Sequence, residues 1–143
     1  MGSDRKTLAN ICLKKAFSVA LADVAHIKEA DFFGIASGNK MPDKFERSGL
    51  HAVPSAHVAS PVIQEFPLTM ECELLEERKV SEGSIVTGRI INVNVDENVL
   101  NKHGTVDAGK LNAVGFDQFG MSYYKIGEPL AKAWHIGMEL VNR

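Results

Sequence analysis

The order of apolar and polar positions divides the chain into a helix-rich first third and a strand-rich remainder. Leu8, Ile11 and Cys12 fall at i, i+3 and i+4, which predicts a short helix running to Lys15 with Ser3 or Asp4 as its cap. Phe17, Val19 and Leu21 then alternate, so Ala16 to Leu21 reads as a strand. Asp23 is placed to cap a second helix over Val24 to Phe33, with Gly34 as its stop. Ala36 to Pro42 is loop chemistry, after which Asp43 caps a short helical turn, Lys44 to Arg47, closed by Gly49.

Further along, Leu50 to Pro67 holds Pro54, Pro61 and Pro67, which limits it to short strands joined by bends. From Thr69 to Glu76, Met70, Cys72 and Leu74 point one way and Thr69, Glu71 and Glu73 the other. Ile85 to Val95 is the strongest strand. Its apolar residues occupy both faces, as in a strand buried on both sides or a barrel stave. Glu77 to Gly83 is expected to be the loop between these strands, and Asp96 to Leu111 loop and turn. The pattern from Val114 to Val141 decides neither helix nor strand. This order of elements predicts an α+β, mainly β architecture or a β-barrel with attached helices.

Composition adds limits. The 143 residues predict one domain, 1–143, at roughly 150 residues per domain. The 16 Lys and Arg against 18 Asp and Glu leave a net charge of −2. That excludes a strongly basic nucleic-acid binder and an acidic disordered tail. Cys12 and Cys72 form neither a disulfide framework nor a C-x-x-C pair, so free thiols in a reducing cytoplasm are expected. The longest uncharged run, Ser48 to Gln64, carries two prolines and two histidines and is no membrane span. None of the five histidines pairs at metal-binding spacing, so no metal site is expected. G-x-S-x-G, Walker A and G-x-G-x-x-G patterns are absent, which leaves hydrolase, P-loop and Rossmann readings without support.

Three stretches carry candidate chemistry. In Ser37-Gly38-Asn39-Lys40-Met41-Pro42-Asp43-Lys44-Phe45, backbone N–H groups near Gly38 could form an anion nest beside a helix start and Lys40 or Lys44. The same stretch also reads as a solvated loop. Arg5-Lys6-Thr7 offers a bidentate phosphate grip and a hydroxyl donor, or simply an exposed first turn. Tyr123-Tyr124 could line a planar aromatic ligand, or serve as packing.

Read in order, these pieces resemble the flavin reductase-like, FMN-binding split-barrel family, its flavoredoxin branch in particular. Arg5-Lys6-Thr7-Leu8-Ala9-Asn10-Ile11 is similar to that family's R-x-T-x-x-N-I element. Asp31-Phe32-Phe33-Gly34 with Ser37-Gly38 and Asp43-Lys44-Phe45 resembles its D-Y-F-G…S-G…D-K-F segment. Pro61-x-Ile63-x-Glu65-x-Pro67-Leu68 with Glu71-Cys72 resembles P-x-I-x-E-x-P-L…E-C, Gly88-Arg89-Ile90 the G-x-I/V strand, and Tyr123-Tyr124-x-x-Gly127-Glu128 the Y-x-x-G-E element.

The resemblance implies a split β-barrel homodimer holding FMN without a covalent bond. It implies that Arg5 and Thr7 approach the FMN phosphate, with Ser37, Gly38, Lys44 and Phe45 close by and Tyr123 or Tyr124 near the ring. The implied function is transfer of hydride or electrons through FMN, from NAD(P)H or from a redox protein partner. A non-enzymatic electron carrier and a barrel without flavin are the alternatives.

Two departures accompany the likeness. Family members carry further strands, of about 5–6 residues each, ahead of the R-x-T element, so an N-terminally truncated barrel is expected. Many flavin reductases also place a His just before the G-x-I/V strand, where this chain has Glu82-Gly83-Ser84-Ile85-Val86-Thr87. No general acid or base stands out.

Overall fold

The computed structural model describes residues 1–141. Its scaffold is an antiparallel sheet in the order β1-β4-β5, formed by Ala16–Ala20, Leu68–Val80 and Gly83–Val95. β4 and β5 form one long hairpin, paired from Leu68↔Val95 to Val80↔Gly83, with Ser81 and Glu82 as the turn. The expected Glu77–Gly83 loop is therefore strand for most of its length. Glu77, Arg78 and Lys79 gain ladder hydrogen bonds that their charges do not oppose at an exposed sheet end. The register shifts between Glu71 and Cys72 and again between Leu74 and Glu76, which leaves Ile91 and Leu75 as extra residues.

Helix α1 (Lys6–Lys14) precedes β1 with almost no linker. It buries Leu8 and Ile11, as their spacing predicts. Neither Ser3 nor Asp4 caps it; Arg5 occupies the cap position without a side-chain bond. Lys15 then turns left-handed at φ 57°, and its carbonyl accepts the Leu74 N–H at 2.9 Å, pinning the helix end to β4.

Helix α2 (Ile27–Ile35) starts later than predicted and continues through Gly34. Asp23 spends its carboxylate on the preceding turn, where Oδ1 accepts from the His26 backbone N–H at 3.0 Å and from His26 Nδ1 at 2.8 Å. Helix α3 (Lys44–Ser48) is closed by Gly49 at φ 72°, as expected. Asp43 does not cap it. Its Oδ2 accepts from Arg47 Nε at 2.7 Å instead, and that guanidinium holds the carboxyl below its ordinary range.

Strands β2 (Ala52–Pro54) and β3 (Pro61–Ile63) pair as a small ladder. Residues 96–111 contain a 3-10 turn, Glu97–Val99, and helix α4 (Ala108–Leu111), capped by Asp107. The apolar cluster lies here: Val99, Leu111 and Ala113 pack with Leu21, Leu68 and Val95. The undecided tail holds a second hairpin, β6 (Val114–Asp117) and β7 (Ser122–Lys125), and a short helix, α5 (Met138–Val141). Cys12 and Cys72 are both free, and burial pushes the Cys72 thiol up. No described helix is long and apolar enough to cross a membrane.

The largest correction concerns the faces of the sheet. Of the two expectations for β5, burial on both sides and a barrel stave, the first is not met among the described residues, where Ile85, Ile90, Ile91 and Val93 are 41–54% exposed. Conversely, the polar face of β4 is buried at its start: Thr69 and Glu71 are each 1% exposed, while Glu73 is exposed.

Gly88 is required by packing rather than by its dihedral angles. A Cβ there would stand 2.4 Å from Phe17 Cζ and 3.2 Å from Cys72 Cβ. Gly88→Ala is expected to lower stability by about 1–3 kcal/mol through overpacking, read from the midpoint of urea unfolding.

Candidate functional site

Three separate segments converge at the start of α1. The helix buries Leu8 and Ile11, so the faces bearing Lys6, Thr7 and Asn10 turn outward. Thr7 and Asn10 lie at i and i+3, one turn apart on the same side.

The loop between α2 and α3 packs against this face. Asn39 Nδ2 donates to the Asp4 carbonyl at 2.7 Å. Gly38 approaches so closely that a Cβ would meet Lys6 Cδ at 3.2 Å. The loop is not the nest that its composition suggested. The Lys40 and Met41 N–H groups both return to the Ser37 carbonyl, at 3.0 and 2.9 Å, and no residue from 36 to 43 has a left-handed φ. A helical turn of this kind uses those N–H groups internally, whereas a nest needs alternating handedness to point them at one anion.

Lys44, the first residue of α3, closes the arrangement. Its ammonium donates to the Ala36 carbonyl at 2.8 Å and the Phe33 carbonyl at 3.2 Å, satisfying the C-terminal end of α2. It also stands 5.4 Å from the Phe33 ring centroid. Phe45 stacks on that ring at 6.0 Å with the planes 10° apart.

The result is a cavity of about 200 Å³ lined by Arg5, Thr7, Ser37, Gly38, Lys44 and Phe45. Six of the eight predicted site residues thus share one wall. Lys6, Asn10, Ala36 and Pro42 complete it. Lys6 belongs to the Arg5-Lys6-Thr7 stretch and Asn10 to the R-x-T-x-x-N-I element, yet neither was among the predicted site residues.

The lining has three cationic side chains and no carboxylate. Burial pushes the Lys44 ammonium down, and the like charge of Arg5 pushes it the same way. Cations held close together, with hydroxyls and an amide beside them, are chemically complementary to a compact anion.

The tyrosines lie elsewhere. Tyr123 and Tyr124 are on β7, 44% and 61% exposed, and neither lines the cavity. The Tyr123 ring packs on Phe116 at 5.3 Å, and its hydroxyl donates to Asp31 Oδ1 of α2 at 2.7 Å. The segment with small residues in place of a histidine forms the hairpin turn and the first half of β5, where Ser84 is buried and donates to Glu77.

Comparisons with known proteins agree on the kind of fold. The family model described as flavin reductase like domain matches residues 1–114. The structure of flavoredoxin from Desulfovibrio vulgaris (Miyazaki F) superposes with a TM-score of 0.88 at 34% identity, covering 96% of this chain and 73% of that one. An FMN-binding protein from Thermus thermophilus, solved with 1-cyclohex-2-enone, superposes with a TM-score of 0.75 at 19% identity, covering 92% and 70%. An uncharacterized protein of Aquifex aeolicus (strain VF5) is 24% identical over 123 residues, which is 84% of this chain. The chain spans 60% of the length of that curated relative.

The contact between β7 and α2 is open to direct test. The Asp31 carboxylate, by accepting the hydroxyl and by its charge, raises the Tyr123 pKa. In a Tyr124→Phe background, ultraviolet absorbance titration should show Tyr123 ionising above the ordinary tyrosine range. Adding Asp31→Asn should move that transition to lower pH, since the charge opposing the phenolate is gone.

Proposed function

The chain belongs to the flavin reductase-like domain family, and we propose that it is an FMN-binding redox protein whose cationic cavity receives the cofactor's phosphate. The observation that carries this reading is the convergence of Arg5, Thr7, Ser37 and Lys44 on one cavity without a carboxylate. Arg5 offers a planar fork and Lys44 a point charge, while the Thr7 and Ser37 hydroxyls add donors. At about 200 Å³ the cavity is smaller than the roughly 300–1,000 Å³ of pockets that enclose whole ligands. It therefore suits the phosphate end of FMN and leaves the ring to other surfaces.

Tyr123 and Tyr124 are our candidates for that ring contact, being exposed aromatics with polar tips. A homodimer would supply the remaining cover. Support for it comes from the exposed Ile90 and Val93 of β5, which sit opposite Cys72 and Met70 on one face of the sheet and form an apolar surface of the kind that marks an interface. Bound FMN supplies the hydride- and electron-accepting chemistry. The chain's own residues hold the phosphate, fix the orientation of the ring and exclude water. The reducing equivalents come from NAD(P)H or from a redox protein partner.

The phosphate assignment separates FMN from riboflavin. Arg5→Ala is expected to weaken FMN binding by about 10–100-fold, the worth of one hydrogen bond between charged groups, and to leave riboflavin binding unchanged. Absorption spectra after removal of excess flavin read both affinities. An equal loss for the two flavins, or none for either, removes the phosphate from this cavity. In the loaded protein under anaerobic conditions, bleaching of the flavin band by NADH or NADPH supports direct hydride donation. Bleaching only by a reduced redox protein supports the carrier.

The dimer has its own test. Light scattering should give the mass of two chains, and Ile90→Lys should shift it to one. A wild-type monomer ends the dimer proposal.

A further inference from the structure

A second cavity, of about 420 Å³, lies against the face of the sheet that bears Thr69, Glu71 and Asn94. Residues 53–57 and 62–64 form one wall, while Thr69 and Glu71 of β4 and Asn94 of β5 form the other. Register places them together, with Thr69 opposite Asn94 and Glu71 opposite Asn92.

Thr69 and Glu71 are the most deeply buried side chains described, each 1% exposed. Buried polar atoms in folded proteins almost always have a hydrogen-bond partner. Here Glu71 Oε2 accepts from Asn92 Nδ2 at 2.5 Å and Asn94 Nδ2 at 3.0 Å. Thr69 Oγ1 has no hydrogen-bond partner, and Glu71 Oε1 has none in good geometry, the Ser55 hydroxyl being the donor that faces this carboxylate. The Ser55 hydroxyl and the Asn92 amide favour the carboxylate form of Glu71, burial opposes it, and His57 and Asn94 add support, so the group is held below its ordinary range.

The charge here is the reverse of that at the first cavity. Glu71 and Asp96 are the carboxylates of the lining, His57 is its other titratable group, and neither Lys nor Arg is among the lining residues. Val53, Val62, Ile63 and Phe66 give it an apolar side. A bare metal ion would want six or more oxygen ligands for Ca²⁺ or Mg²⁺, and this apolar wall offers none.

We propose that this cavity binds a small organic cation whose N–H groups bond Glu71 Oε1 and Thr69 Oγ1 while its apolar body rests on Val53, Val62 and Ile63. Amidinium and primary ammonium groups share that chemistry. The proposal does not rest on flavin binding, since an anionic phosphate is disfavoured beside these carboxylates.

Benzamidine and benzoate, which share a ring and differ in charge, are the probes. In nuclear magnetic resonance titrations of the ¹⁵N-labelled 143-residue chain, benzamidine should give saturable amide shifts in 53–57, 62–64 and 94–96. Benzoate should not. Glu71→Gln should weaken benzamidine at least about tenfold by removing the charge. Thr69→Val, which deletes a hydroxyl that bonds nothing in the fold, should weaken it several-fold while raising Tm. It also decides the matter if Glu71→Gln fails to fold. Saturable shifts with benzoate, no saturable shifts with benzamidine, or an unchanged affinity in Thr69→Val would each overturn the assignment.

Discussion

The register of β4 on β5 positions almost everything else. β1 pairs with the free side of β4, and α1 is tied to β1 by a left-handed Lys15 whose carbonyl also bonds β4. Glu71 and Cys72 are consecutive, face opposite ways and are both buried, so the first half of β4 is covered on both faces. Phe17 lies over the Cys72 side, and its ring leaves room at Gly88 for a hydrogen and nothing larger. The Asn92 and Asn94 amides hydrogen-bond the carboxylate on the Glu71 side. The two register shifts allow this, because each extra residue resets which side chains share a face.

Charge is sorted between the two sides of this scaffold. Arg5, Lys6 and Lys44 gather where α1 meets the α2–α3 loop, and Glu71 and Asp96 gather under the β2–β3 segment. With a net charge of only −2, the chain has no strong overall field. The charge of each cavity is therefore a local property, built from residues held close together. Lys44 shows how closely. Lys44 lines the cavity while its ammonium satisfies the last carbonyls of α2, so the helix end and the charge cannot be separated.

Much of this was legible in the sequence, and the failures have physical causes. α1 and β1 were readable because Leu8, Ile11 and the alternation after Ala16 are local signals. The cationic cavity was readable as residue types and order, though not as the nest its loop composition suggested. The caps were misread because Asp23 and Asp43 each had a better partner nearby, His26 in one case and Arg47 in the other. The burial of Thr69 and Glu71 was invisible, since the amides that make it tolerable lie on β5, more than twenty residues away. The tail resisted because β6 and β7 are short strands whose docking depends on distant partners, Tyr123 to Asp31 and the Val114 N–H to the Ala22 carbonyl.

The hairpin turn at Ser81 and Glu82 also has a temporal meaning. β4 and β5 meet through neighbouring residues, whereas Ala16 must find Glu73 from the far end of a long intervening chain. Local contacts close first and distant ones later, because loop-closure entropy must be overcome before the distant pairing stabilises anything. Arg5 and Lys44 lie far apart in the chain, and they meet through the contacts of Gly38 with Lys6 and of Asn39 with Asp4. The cavity that needs both segments forms only when those contacts do. An anion that bridges its two halves thus favours the closed state over every earlier one, and so acts on the folding equilibrium as a clasp.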